Sequence, residues 1–98
     1  MNVIARARVR PECVEEVKAG VKKLFEAIEQ ARPQGVRYSY SVLSDGVTFL
    51  NQVELQDGID NPLAGLPAVR EFAETVGQWL AERPVREELT VIGSYRSF

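Results

Sequence analysis

The 98-residue sequence contains no histidine and a single cysteine, Cys13. Without histidine and clustered cysteines, the usual nitrogen and sulfur ligands of zinc are missing, so we predict no metal site. One cysteine cannot form an intramolecular disulfide, which fits a reducing compartment. We therefore expect a cytoplasmic protein whose chemistry does not depend on a histidine base.

Long apolar runs and an excess of one charge are also absent. Met1 leads directly into the alternating segment NVIARARV, without the pattern of a signal peptide, and no apolar stretch approaches the length of a membrane span. The net charge of -2 supplies no general attraction for nucleic acid or anionic membranes. Since the RARVR run lacks a neighbouring aromatic platform, we predict neither a nucleic-acid nor a membrane partner.

The residues that are present describe one globular domain spanning residues 1–98, with 45% hydrophobic and 27% charged residues. Alternation over residues 2–10 predicts a half-buried strand. Apolar residues at steps of three and four predict a helix over residues 12–31 and a second helix from Pro67 to about Glu82. The segment EELTVIGSYRSF, residues 87–98, is predicted to form the last strand.

The segment VRYSYSVLSDGVTFLNQVELQD, Val36 to Asp57, is predicted to form a hairpin. Asp45-Gly46 indicates a two-residue turn, and that turn sets the register. Arg37 then faces Glu54 as an opposite-charge pair. The other predicted pairs are Leu43 with Thr48, Val42 with Phe49, Tyr40 with Asn51, and Tyr38 with Val53.

The resulting order, βαββαβ, predicts an α+β ferredoxin-like fold. Its four-stranded antiparallel sheet should have strand order 4-1-3-2 and carry both helices on one face. The opposite face mixes apolar and charged residues, so we expect two copies to stack these open faces as a homodimer. The residues expected beneath the helices are Val3, Ala5, Ala7, Tyr38, Tyr40, Phe49, Asn51, Val91 and Gly93.

Asn51 is the polar exception on that inner face. A buried amide without a partner is costly, so Asn51 needs a hydrogen bond. The Tyr40 hydroxyl, a backbone group or a buried water could supply it, which would make Asn51 purely structural. Alternatively, Asn51 binds a substrate oxygen or stabilises a developing oxyanion. These two interpretations are compatible.

Small residues on the inner face predict a cavity. Ala5, Ala7 and Gly93 occupy positions where a filled core would more often have larger side chains. The cavity would be largely apolar, as ligand sites tend to be, although the aromatic residues could instead fill the space themselves and Gly93 could mark a bulge. The surrounding aromatic residues are Phe25, Tyr38, Tyr40, Phe49, Phe72 and Trp79.

The chain resembles the antibiotic biosynthesis monooxygenase family of the dimeric α/β-barrel superfamily. The resemblance is carried by VIARARVRPE opening into a helix, by GVRYSYSVLSDGVTFLNQVELQD, and by the second helix ending in WL. It implies dimers whose stacked sheets form a barrel, with a pocket between sheet and helices in each subunit. Characterised members include cofactor-free oxygenases of electron-rich aromatics or quinols, and haem-degrading enzymes.

The segment DGIDNPLAGLPAV departs from the family, since many members have a histidine there. That absence argues against haem degradation, which needs an axial histidine on the second helix. The resemblance then implies a cofactor-independent monooxygenase-like protein that acts on a small aromatic, quinol or polyketide-type compound. The alternatives are a non-catalytic dimeric binding or accessory protein, and a structural dimer with a filled core.

The predicted site follows from the inner face and the resemblance together. Asn51 and Tyr40 are the candidate catalytic residues, with no cofactor and no metal. A small aromatic ligand would contact the candidate substrate-binding residues Tyr38, Phe49, Phe72, Trp79, Ala5, Ala7 and Gly93.

Overall fold

The computed structural model describes residues 1–95, and its elements follow the order β-α-β-β-α-β. The strands are β1 (Asn2–Arg8), β2 (Val36–Val42), β3 (Thr48–Leu55) and β4 (Val85–Leu89). The helices are α1 (Val14–Ala31) and α2 (Pro67–Val76). Three short 3-10 turns lie at Pro11–Cys13, Pro62–Gly65 and Gly77–Trp79.

The sheet has the order β2-β3-β1-β4, and every neighbouring pair is antiparallel. This confirms the predicted order 4-1-3-2 and the α+β ferredoxin-like fold. β1 therefore lies between β3 and β4, where it pairs along both of its edges. The hairpin register is also confirmed, because Tyr40 lies opposite Asn51 and the Arg37 guanidinium is 3.9 Å from the Glu54 carboxylate.

The hairpin turn differs in type from the prediction. Residues 44–47 form a four-residue connection, because the last backbone pair is Leu43 with Thr48, where the Leu43 amide donates to the Thr48 carbonyl. Within the connection the Gly46 amide donates to the Leu43 carbonyl. The Asp45 carboxylate accepts hydrogen bonds from the Val47 and Thr48 amides and from the Thr48 hydroxyl. These bonds hold the pKa of Asp45 below its usual value. The aspartate thus organises the turn without changing the strand register.

The last strand begins earlier than the sequence indicated. It was predicted over residues 87–98 but spans Val85–Leu89, and Leu89 pairs with Asn2, the first residue of β1. Residues beyond Leu89 therefore have no remaining length of β1 to pair with. Val91 and Gly93, predicted beneath the helices, lie outside the sheet, and Val91 is 58% exposed. Residues 96–98 of the predicted strand lie outside the described residues.

The second helix is shorter than predicted, since α2 ends at Val76 rather than near Glu82. Gly77 is a poor helix former, and a 3-10 turn follows it. Leu80 is then extended and bridges Val9 at the end of β1. The amide of Ala81 also donates to the Arg8 carbonyl, which directs the chain toward β4. No helix within residues 1–95 is long and apolar enough to cross a membrane.

The hydrophobic core centres on Val9, Val17 and Phe49. Val9 and Val17 are almost fully removed from solvent, with exposed fractions of 1% and 0%. This cluster joins α1 to the sheet, and Trp79 and Leu80 pack against it from the segment after α2. This cluster lies at the end of the sheet where β1 finishes, and the other buried hydrophobic residues within residues 1–95 are Val3, Leu24, Leu55 and Leu63.

Val17→Ala tests the position of this core. Removing buried methyl groups should lower the free energy of unfolding by about 2 kcal/mol, since both transfer and cavity terms are lost. Val42→Ala is the matched control, because the Val42 side chain is 42% exposed and should contribute no more than about half as much. Urea unfolding measures both, and equal losses would contradict this placement of the core.

Candidate functional site

A cavity of about 250 Å³ lies between the sheet and α2 and is called the central cavity below. Its floor is the inner face of the sheet, and its roof is formed by α2 and the segment that follows. The sheet contributes Ala5, Ala7, Tyr40, Phe49, Asn51 and Arg86, and Ala73, Val76, Leu80 and Pro84 line the opposite side, with Arg6 and Val9 at the margin.

The central cavity exists because β1 presents small side chains to it. Ala5 and Ala7 each carry only a methyl group, whereas the same face of the neighbouring hairpin carries Tyr40 and Phe49. The pairings place four residues directly across the sheet as a cross-sheet row, whose members in strand order are Tyr40, Asn51, Ala5 and Arg86. The small Ala5 side chain therefore lies between Asn51 and Tyr40 on one side and the Arg86 guanidinium on the other.

Tyr40 and Asn51 form the polar part of the floor. Both are partly buried, and the Tyr40 ring packs against Phe49 and Phe72 with centroid distances of 6.4 and 5.8 Å. Burial raises the pKa of Tyr40, and a hydrogen bond from the Asn51 side chain opposes that rise. Since its pKa lies above 10.0, Tyr40 is protonated at neutral pH and can donate a hydrogen bond to an anionic ligand atom.

Arg86 is a cavity residue that the sequence analysis missed. Its position follows from β4, because Arg86 pairs with Ala5 and so shares the helix-covered face. The sequence did hold a signal: VREEL directly after Pro84 can be read as an alternating strand segment. The last strand was instead predicted over residues 87–98 because the stretch TVIG, residues 90–93, is more apolar.

Tyr38 lies beside the central cavity rather than in its wall. Its ring stacks on Phe25 with centroids 5.2 Å apart and planes 7° apart, and it meets the Tyr40 ring edge-on at 6.3 Å. Together with Pro33 and Leu63, Tyr38 lines a separate open groove. Burial, followed by the charge of Tyr40, raises the pKa of Tyr38 to about 12.

Phe72 and Trp79 line a different space, a cavity of about 240 Å³ between α1 and α2 that is called the interhelical cavity below. Its other walls include Leu24, Ala27 and Ala68. Phe72 also touches the Tyr40 ring and so reaches the back of the central cavity. Gly93 lines neither space, and a Cβ added there would meet nothing within 4 Å in the described part of the chain.

The structure thus brings together five of the nine predicted site residues: Ala5, Ala7, Tyr40, Phe49 and Asn51. It places Tyr38, Phe72 and Trp79 in neighbouring spaces and leaves Gly93 outside. Their roles in binding or catalysis stay predictions. The central cavity is largely apolar and offers two neutral hydrogen-bonding groups, Tyr40 and Asn51, and the guanidinium of Arg86 in the same cross-sheet row.

Tyr38→Phe tests the burial of the aromatic pair. The folded protein keeps the Tyr38 phenol protonated up to about pH 12, whereas the ordinary value is 10.0. The stability linked to this group is fully present below about pH 10 and is lost as the pH rises toward 12. Tyr38→Phe should therefore flatten the alkaline decline of the free energy of unfolding, measured in urea at a series of pH values.

Tyr40→Phe is the comparison variant, and it should flatten that decline less because Asn51 opposes the pKa rise of Tyr40. An alkaline decline as steep in Tyr38→Phe as in the unmodified protein would contradict the buried environment of Tyr38.

Comparison with known proteins gives matches in structure but not in sequence. No family model matches the chain, and no curated protein matches it. A protein from Nitrosomonas europaea, provisionally named an antibiotic biosynthesis monooxygenase, superposes with a TM-score of 0.77 at 18% identity, covering 93% of this chain and 88% of its own. A protein of the same provisional name from Caulobacter crescentus gives 0.75 at 19% identity, covering 94% and 89%.

A third similar structure is a variant of SnoaB, a cofactor-independent oxygenase from Streptomyces nogalater. It superposes with a TM-score of 0.71 at 13% identity, covering 98% of this chain and 96% of its own. At such identities the likeness establishes the fold and not the reaction. The chain has the α+β ferredoxin-like fold of the antibiotic biosynthesis monooxygenases.

Proposed function

We propose that this protein is a cofactor-independent monooxygenase-like enzyme for a small, electron-rich aromatic compound of the hydroquinone type. The observation that carries the proposal is the Tyr40–Asn51 pair on the floor of an otherwise largely apolar chamber. A cofactor-independent oxygenase with the same fold supports it. Cytoplasmic location and the single-domain organisation stay predictions.

In the proposed reaction a hydroquinone and dioxygen give a hydroxylated quinone and water. One oxygen atom becomes bonded to a ring carbon that loses its hydrogen, and the other oxygen atom leaves as water. All of the electrons that dioxygen accepts come from the ring, which is oxidised to the quinone. The protein must bind the electron-rich anion of the substrate, orient it and limit the access of water.

Asn51 and Tyr40 would stabilise that anion. The Asn51 amide can donate to the substrate oxygen on which negative charge develops, as side-chain amides do in oxyanion sites. Tyr40 keeps its proton at neutral pH and so acts as a second donor rather than as a base. Phe49, Val76 and Leu80 supply apolar walls that would limit the access of water to the reacting ring.

The volume of the chamber limits the substrate. A cavity of about 150 Å³ is known to hold benzene. The central cavity, at about 250 Å³, therefore has room for one substituted ring. This size favours a single-ring quinol over a polyketide with several fused rings.

A non-catalytic binding protein is the second candidate, and one observation favours it. No histidine, aspartate or glutamate is among the described residues that line the central cavity. A substrate proton would have to leave to solvent through the open side rather than to a dedicated base. Retained binding without turnover would support this second candidate.

A homodimer through the open sheet face is also proposed. Within residues 1–95 no element covers this face, where the half-buried Ile4 and Leu50 stand among charged side chains. Leu43, Val85 and Leu89 add exposed apolar surface, with exposed fractions of 44%, 47% and 38%. Stacking two such faces would bury this surface and allow the interspersed charges to pair.

Asn51→Leu tests the proposed chemistry. The variant should lower oxygen uptake on a panel of hydroquinones and naphthols at least about tenfold, because one donor to the developing oxyanion is lost. Gln30→Leu is the matched control, since it removes an exposed amide on α1 far from the chamber. Turnover unchanged in Asn51→Leu, with substrate autoxidation subtracted, would contradict the assigned role.

Light scattering tests the homodimer. The protein should have twice the chain mass of 11.0 kDa at micromolar concentration. Leu50→Glu should shift the mass toward that of one chain, because a charge would be buried at the interface. Ala19→Glu on the exposed side of α1 is the control. A mass of 11.0 kDa for the unmodified protein would rule the dimer out.

A further inference from the structure

The charge around the central cavity is of one sign. The charged lining residue on its inner face is Arg86, and no carboxylate within residues 1–95 joins it. Arg6 lies at the margin and, since it alternates with Ala5 and Ala7, belongs to the open face of the sheet. A lining with positive charge alone is unexpected in a chain with a net charge of -2. The interhelical cavity, by contrast, has both Lys23 and Glu71 in its lining. The central cavity is therefore a local positive site in an acidic protein, which attracts an anion.

Arg86 is available to a ligand. No ion pair in the described part of the chain includes it, since the observed pairs are Arg8 with Glu82, Lys18 with Glu15, and Arg37 with Glu54. Glu88 lies on the same face of β4 two residues further along, but it is not an ion-pair partner of Arg86. The guanidinium presents donors in a planar fork that matches a carboxylate.

The cross-sheet row sets the distance between the two ends of a ligand. Asn51 and Arg86 are both paired with Ala5, on opposite edges of β1. Adjacent strands are about 4.7–4.9 Å apart, so the backbones of Asn51 and Arg86 are roughly 9.5 Å apart. Between them the small Ala5 side chain leaves open space above the sheet. One aromatic ring fits above Ala5, with polar substituents facing outward at both ends.

We propose that the central cavity selects an anionic substrate, a single-ring hydroquinone acid whose carboxylate pairs with Arg86. The ring lies over Ala5, and a ring hydroxyl faces Asn51 and Tyr40. This inference rests on the proposed function in taking the central cavity as the substrate site, and it adds the chemical class of the substrate. Arg86 then determines specificity for the acid, while the reacting hydroxyl of the substrate lies at the other end of the cross-sheet row, beside Asn51 and Tyr40.

The test compares an acid with its neutral ester. Calorimetric titration without oxygen, which prevents turnover, measures the binding of 2,5-dihydroxybenzoate and of its methyl ester. The unmodified protein should bind the acid at least about fivefold more tightly, because a guanidinium that is partly open to solvent still contributes a charge-assisted pair. Arg86→Gln should bring the two affinities together, and Arg86→Lys should keep part of the preference.

Arg83→Gln is the matched control, since Arg83 is an exposed arginine outside the cavity lining. It should leave the preference for the acid unchanged. Should Arg86→Gln fail to fold, the salt dependence of the unmodified protein decides instead. Raising the salt concentration should weaken acid binding and leave ester binding nearly constant, because salt screens an exposed charge.

Equal affinity for acid and ester in the unmodified protein would overturn the inference, as would a preference that survives in Arg86→Gln. Its failure is distinguishable from failure of the proposed function. If the protein consumes oxygen with neutral hydroquinone but binds acid and ester equally, only the selection of an anion by Arg86 is overturned, and the proposed function stands. Acid preference lost in Arg86→Gln would support the anion site even if oxygen uptake is absent.

Discussion

The pairing of β1 on both of its edges is the constraint on which the site depends. Antiparallel hydrogen bonds to β3 and β4 place Ala5 opposite Asn51 on one side and Arg86 on the other. A slip of one residue in either pairing would turn one of these side chains to the open face. The guanidinium of Arg86 thus shares one chamber with Tyr40 and Asn51 because the backbone ladders place all three on the same face of the sheet.

Packing turns that register into a cavity. Val9, Val17 and Phe49 close one end of the space between sheet and helices. The Val9–Leu80 bridge then holds the segment after α2 across the end of β1. The aromatic side chains Tyr40 and Phe49 of the hairpin fill the space between the sheet and α2, whereas the methyl groups of Ala5 and Ala7 on β1 leave it open. The resulting chamber is apolar on its walls and polar along one row, which suits orientation of an aromatic anion.

Much of this arrangement could be predicted from the sequence. Alternation over the hairpin predicted that Tyr40 and Asn51 lie on the same face of the sheet, because a period of two assigns each residue to one face. The end of β4 could not be predicted in this way, since it depends on where β1 begins and not on the composition of β4 itself. For that single reason Arg86 was missed, and Gly93 was predicted beneath the helices although it lies outside the sheet. Phe72 and Trp79 have helical spacing, which shows that they face inward but not which of two adjoining cavities they line.

The most direct test of the account asks which cavity binds the ligand. Alanine methyl groups labelled with carbon-13 report on both spaces, because Ala5 and Ala7 line the central cavity while Ala27 and Ala68 line the interhelical cavity. Titration with hydroquinone without oxygen should shift the methyl resonances of Ala5 and Ala7 and leave those of Ala27 and Ala68 unchanged. Shifts confined to Ala27 and Ala68 would contradict the assignment of the substrate site to the floor of the sheet.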